Sequence, residues 1–275
     1  MTTADVRTSD APIRGGGVRA LYAGNPGSVV QRGLIAARSS SWVVVLSGFF
    51  EPVLYLASMG IGLGSLIGDV QTPAGPIPYA AYIAPALLAV SAMNGAIYDS
   101  TWNVFFKLNH AKLYEGMLAT SLGPLDVALG EIVYALLRGL VYATGFMIIM
   151  QIFGLNLAWT AILALPAVVL IAFGFASLGM AVTSYMKVFQ QMDLINFVLL
   201  PMFLFSATFY PITIYPEWLQ VIVMALPLWQ GVELVRGLTT GVLAPDMWWH
   251  VVYYLVMIGI GLVFTTKRLR ALFLD

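Results

Sequence analysis

Five ionisable residues sit inside long apolar runs: Glu51, Asp99, Glu131, Arg138 and Asp193. Charge at membrane depth is costly, so each is by default a functional candidate, with an internal partner expected. Glu131 and Arg138 are seven residues apart, two helical turns along one face, too far for an ideal direct pair but near enough to share a third residue. They fit either a structural ion-pair network or a place on a transport pathway. Catalytic chemistry has no comparable footing. The phosphate cradle GxxxxGK(S/T) is absent, and the run Gly60, Gly62, Gly64 lies in an apolar span rather than between a strand and a helix. His110 and His250 fall on opposite sides of the expected membrane, and neither HExxH nor DDxxD occurs, so no metal site is expected. With no cysteine, disulfides and thiol ligands are excluded.

The elements that must position these charges are membrane helices. The chain is 60% hydrophobic and only 9% charged, with a mean hydropathy of +0.88, far from the composition of soluble domains. Its 275 residues hold about six helices of ~20 residues, the length that crosses a hydrocarbon core. The expected spans are Trp42 to Ile67, Tyr79 to Phe106, Val127 to Phe153, Trp159 to Tyr185, Met192 to Tyr210 and Trp248 to Thr265. Between the last two, prolines and glycines cut an apolar stretch into Trp218–Leu226 and Leu228–Thr239, each too short to cross, which predicts external or re-entrant helices. Ahead of the spans, residues 1–17 read as a flexible leader, and 18–41 as an amphipathic interfacial helix. Residues 42–270 form the transmembrane domain and 271–275 a short tail. The fold class is an all-α membrane protein.

Positive charge sets the orientation. Of 13 lysines and arginines, 11 fall in the N-terminal arm, two alternate loops and the C-terminal tail, which places both termini in the cytoplasm of a multi-pass cytoplasmic-membrane protein. Arg138 lies inside a span, and Arg236 is the lone positive residue on the outer side. The net charge of zero offers no field for nucleic acid. The first 40 residues carry five arginines without an early apolar run, so a cleavable signal is not expected.

Three further patterns bear on packing and partners. Gly60, Gly64 and Gly68 make small-residue steps suited to close helix approach or to flexibility. Aromatic residues cluster at Tyr79, Tyr82, Tyr98, Trp102, Phe105 and Phe106, then at Phe197, Phe203, Phe205, Phe209 and Tyr210, fitting either an interfacial belt and packing or a slippery lining. The loop Lys107 to Asp126 contains a short helix from about Ala111 to Ser121, where Leu113, Met117, Leu118 and the nearby Tyr114 suggest a partner-facing surface.

The segment Leu113-Tyr-Glu-Gly-Met-Leu-Ala-Thr120, running on through Gly123-Pro124 to Gly130-Glu131, resembles the cytoplasmic loop of ABC-2 type transporter permeases. Pro227-Leu-Trp-Gln-Gly-Val-Glu-Leu-Val-Arg-Gly237 is similar to the same family's region before the last span. With the six-span order, the resemblance covers about Arg32 to the C-terminus and is nearest the drug- and lipooligosaccharide-exporting branch; the proline after Ala119-Thr120 is displaced. It implies a permease without catalytic residues that exports a drug, lipid or lipid-linked glycan. Two copies, or one with a homologous permease, would pair in membrane lipid and join a separate ATPase that carries ATP and magnesium. It also implies that Lys112, Leu113, Tyr114, Glu115, Gly116, Met117 and Leu118 belong to the ATPase-coupling helix, so that Tyr114→Asp or Glu115→Arg would uncouple an inserted chain. Glu233 and Arg236 belong to an external cap, one turn apart and spaced for an ion pair. The competing reading is an ion-coupled secondary transporter built on Glu51, Asp99, Arg138 and Asp193, although such carriers usually show internal repeats and none is evident.

Overall fold

A computed structural model describes residues 22–37, 50–72 and 75–273. The expected leader, both flanks of the expected 18–41 helix and the start of the first span lie outside these residues. The first helix, α1 (Pro26–Ala37), opens on proline, whose missing N–H costs nothing in a first turn. It lies along the start of a long membrane helix, as described below.

The first membrane helix, α2 (Phe50–Ile67), has a widened π-helical middle, Leu56–Leu63, and stops at Gly68, whose φ of +72° few other residues tolerate. The Pro/Gly-rich segment that follows, expected as a loop, folds into an antiparallel hairpin of β1 (Asp69–Thr72) and β2 (Gly75–Pro78). Val70 pairs with Ile77, and both are buried on one face while their neighbours are not. The hairpin feeds α3 (Tyr79–Asn109), which widens at Asp99–Asn103 and Phe106–His110. Then come α4 (Leu113–Leu118), α5 (Pro124–Ile152), α6 (Trp159–Tyr185), α7 (Met192–Phe205), α8 (Glu217–Ala225), α9 (Pro227–Thr240) and α10 (Met247–Phe273). Five of these helices are long and apolar enough to span, and α8 and α9 form a pair bent by 86°. The two pieces fall within one or two residues of those expected from the proline pattern.

The core is α3, α5, α6 and α10, with α9 laid across one end. Small residues permit the contacts: a Cβ on Gly174 of α6 would lie 2.6 Å from the Tyr254 ring, and one on Gly261 of α10 would lie 2.5 Å from the Ser177 backbone. Tyr254 is fully buried, and its hydroxyl donates to Pro227 O at 2.7 Å, fastening α9 to α10. Two helices stand apart from this core. Only 11% of the α2 span is buried, against 83% for α3, and in α7 only Met192 and Met202 are buried.

Several expectations change. The fifth helix stops at Phe205, not Tyr210: it runs past Pro201, and the chain leaves it through Ala207 at φ +52°. At 14 residues α7 is shorter than the ~20 that cross a hydrocarbon core at right angles. The last helix runs on to Phe273, through the segment read as the end of the span and the tail. Of the three glycines, only Gly60 makes a close approach, its would-be Cβ 3.2 Å from Ala80 Cβ; Gly64 meets ordinary contacts and Gly68 serves the turn.

Candidate functional site

Two adjoining cavities open between α2, α3 and α7, with volumes of about 390 and 520 Å³, within the size range of small-molecule sites. Glu51, Asn94, Asn196 and Leu199 line both. Glu51 and both asparagines are exposed to this groove. Tyr55 and Phe203 meet edge to face at the first cavity, with ring centroids 5.8 Å apart. Tyr98 and Trp102 stack at 6.4 Å along the second. This places part of the aromatic cluster at the groove and leaves Tyr79 and Tyr82 buried in the core.

The expected network of intramembrane charges is built on two ion pairs between α3 and α5. Arg138 also lines the second cavity, and its Nη1 donates to Asp99 Oδ1 at 2.7 Å, while its Nε donates to Tyr142 Oη at 2.7 Å. Asp99 lies behind it, 5% exposed, and also accepts from Asn103 Nδ2 across the widened turn of α3. Glu131 instead pairs with Lys107 at the far end of α3. Each draws its ionic partner from α3, because turns of α5 two windings apart meet different turns of α3, and Tyr134 stands between the two pairs with the Lys107 ammonium 5.7 Å from its ring centroid. Asp193 sits in the first turn of α7, where a carboxylate favours the helix N-terminus, and it lines neither cavity.

At the end of the bundle that carries residues 107–126, the short helix α4 is narrower than the expected 111–121. Tyr114, Met117 and Leu118 are buried, so three of the residues read as a partner-facing surface instead pin α4 to its own chain. Burial pushes the Tyr114 hydroxyl well above the usual phenol value, with Glu131 adding to the effect. Asp at position 114 therefore damages folding before it reports on docking. Leu113 is half-buried; Lys112, Glu115 and Gly116 face outward, the charged two as a loose pair at 3.9 Å. Lys112 adopts φ +48°, which turns the chain sharply into α4.

Beneath α4 lies a residue that the sequence reading missed. Asp126, fully buried at the third position of α5, accepts from the backbone N–H of Gly123 at 2.9 Å, and from those of Ala23, Gly24 and Asn25 at 2.6, 3.1 and 3.0 Å. One carboxylate thus caps α5 and ties down the segment leading into α1. Its position after Gly123-Pro124 was a readable capping signal; its reach to residue 23 was not. The joint is closed by packing, since a Cβ on Gly130 would lie 2.5 Å from Val29 Cβ and one on Gly33 2.7 Å from the Tyr134 ring.

At the opposite end, Glu233 and Arg236 of α9 pair as their spacing predicts. Arg236 is only 7% exposed: Nη2 donates to Ala207 O at 2.9 Å, and the guanidinium stacks 4.0 Å from the Tyr82 ring centroid. The single positive residue expected on the outer side is thus an internal fastener holding α9, the 206–208 turn and α3 together. Asn94, Asn196 and Ser91, also missed, are polar side chains within spans, and the rule that singled out the charges applies to them in weaker form.

A family model described as ABC-2 type transporter matches residues 27–240. Among curated proteins, "Nodulation protein J" of Rhizobium leguminosarum bv. viciae is 29% identical over 258 residues, covering 92% of this chain and 98% of that protein. The protein of the same name from Sinorhizobium fredii (strain NBRC 101917 / NGR234) is 31% identical over 211 residues, covering 76% and 79%. The one from Rhizobium meliloti (strain 1021) is 26% identical over 216 residues, covering 78% and 80%.

Proposed function

This chain belongs to the ABC-2 type transporter family, and from that premise we propose that it is the membrane subunit of an ATP-driven exporter of an amphipathic substrate. ATP and magnesium are held by a separate ATPase. Lys112, Glu115 and Gly116 are the outward face of the coupling helix that meets it, with both termini on the same cytoplasmic side. A second copy or a homologous permease covers the sparsely packed α2 and α7, and the groove between α2, α3 and α7 is the substrate route. Export of a drug, a lipid or a lipid-linked glycan fits this reading.

The observation that carries it is the contrast between a fastened block and a loose pair of helices. Asp126, Gly130 and Gly33 join the α1 segment to the base of α5, and the buried Tyr114, Met117 and Leu118 seat α4 in the same core, so that the three form one body. A push on α4 therefore reaches the long core helices instead of bending a loop. The helices flanking the groove carry few buried contacts and can be repositioned at small cost, which is what a ligand-driven shift between two states requires.

Reconstitution tests the proposal. The chain and its ATPase in vesicles should export an amphiphile only with hydrolysable nucleotide. Glu115→Arg should leave the chain inserted while lowering ATPase co-purification and export about tenfold, a cost of ~1.4 kcal/mol. Transport that persists without nucleotide and collapses with an ion gradient would establish the secondary-transporter reading instead.

A further inference from the structure

Among the described residues, Glu51 makes no ion pair, although it stands in the apolar α2 and faces both groove cavities. The one cation lining the same space, Arg138, is already neutralised by Asp99 at 2.7 Å. The other described lysines and arginines lie in α1, in connecting segments or at helix ends, or, for Arg236, inside the cap. Among the described residues, Glu51 thus has no counter-charge, in a setting where a carboxylate demands a partner.

Its remaining chemistry is that of a donor- and acceptor-rich head site. Ser91 lines the first cavity and is 4% exposed, its buried Oγ has no hydrogen-bond partner, and Asn94 and Asn196 present amides on facing helices. The stacked Tyr98 and Trp102 offer ring faces, which attract cations. Ile97 and Leu199 line the second polar cavity and also a third, of about 770 Å³, walled almost wholly by aliphatic and aromatic side chains of α6, α7 and α8. A polar, anionic cavity and an apolar one thus meet at the edge of α7.

We propose that this groove binds amphiphiles with a positively charged, hydrogen-bonding head, Glu51 supplying the counter-charge and the apolar cavity beyond Ile97 and Leu199 receiving the tail. The assignment rests on the permease reading for its place in transport, but the binding itself is measurable without transport.

The test uses the full chain in neutral-lipid nanodiscs with three probes of equal tail at pH 7: dodecylamine, dodecanol and dodecanoate. Binding is followed by the fluorescence component lost in Trp102→Phe. The amine should bind about tenfold more tightly than the alcohol, and the anion more weakly still. Glu51→Gln should bring amine and alcohol within about twofold, Glu51→Asp should keep most of the preference, and Asn196→Asp should widen it. The last variant keeps the test decisive should Glu51→Gln fail to fold. Equal binding of amine and alcohol, or a Glu51→Gln or Asn196→Asp protein with unaltered preference, overturns the site and leaves the permease reading standing. Charge-selective binding with no nucleotide-driven movement of any probe retains the site and removes the permease reading.

Discussion

The block formed by α1, α4 and the base of α5 is fastened across elements by one buried carboxylate, whereas the wall formed by α2 and α7 leaves its polar groups facing a cavity. In the block, Asp126 is buried and surrounded by four backbone donors, and Glu131 has Lys107 on one oxygen, while its Oε1 and the Tyr114 hydroxyl are buried without a hydrogen-bond partner. In the wall, Glu51 and Asn196 face a cavity whose α3 side presents Asn94 and a buried Ser91 Oγ with no hydrogen-bond partner. A buried polar group left unmatched costs far more than a matched one returns, so the fully matched Asp126 joint marks a part that must keep its shape. Unmatched groups around a cavity mark parts completed by something else.

The sharpest way to break this comparison is Asp126→Ala. It strands four backbone N–H groups at once, and should destabilise the chain by about 3 kcal/mol, with α1 released from α5. Limited proteolysis between residues 22 and 37 and the thermal midpoint measure it. An unchanged midpoint would mean that the block is held by apolar packing alone. Gly130→Leu attacks that packing. Its side chain must displace Val29 and the Pro26 carbonyl, for an expected loss of about 2 kcal/mol, again read by proteolysis of α1. Together the two variants apportion the joint between hydrogen bonding and close contact.

Much of this arrangement is legible in the sequence, for reasons that differ by region. The long core helices announce themselves by length and composition, and the break between α8 and α9 by Pro227, whose ring cannot continue a helix from Leu226. The Glu233–Arg236 pair follows from spacing alone. What spacing cannot give is a partner on another element: Asp99 for Arg138, Lys107 for Glu131 and residues 23–25 for Asp126 are all choices of tertiary packing. The inward turn of Tyr114, Met117 and Leu118 is hidden for the same reason, since an amphipathic turn has an apolar face whether its own chain or a partner covers it. The hairpin at 69–78 is hidden by its two prolines, Pro76 and Pro78, which ordinarily argue against a strand and are tolerated here at an edge.

The smallest effect is expected on the wall, and it sharpens the contrast most. A Cβ on Gly62 in α2 meets nothing within 4 Å, whereas the same addition at Gly130 collides with α1. Gly62→Leu should therefore change the stability of the chain by no more than about 1 kcal/mol, the helix propensity gained roughly cancelling any local crowding. If a second permease covers α2, the same substitution must still be felt in the pairing of the two, because a leucine then projects into their contact. Unfolding and cross-linking measured on one sample separate these effects. A large loss of chain stability would show that α2 is packed by its own chain and end the comparison. An unchanged chain with altered cross-linking would put the second copy on the face that the fold leaves bare.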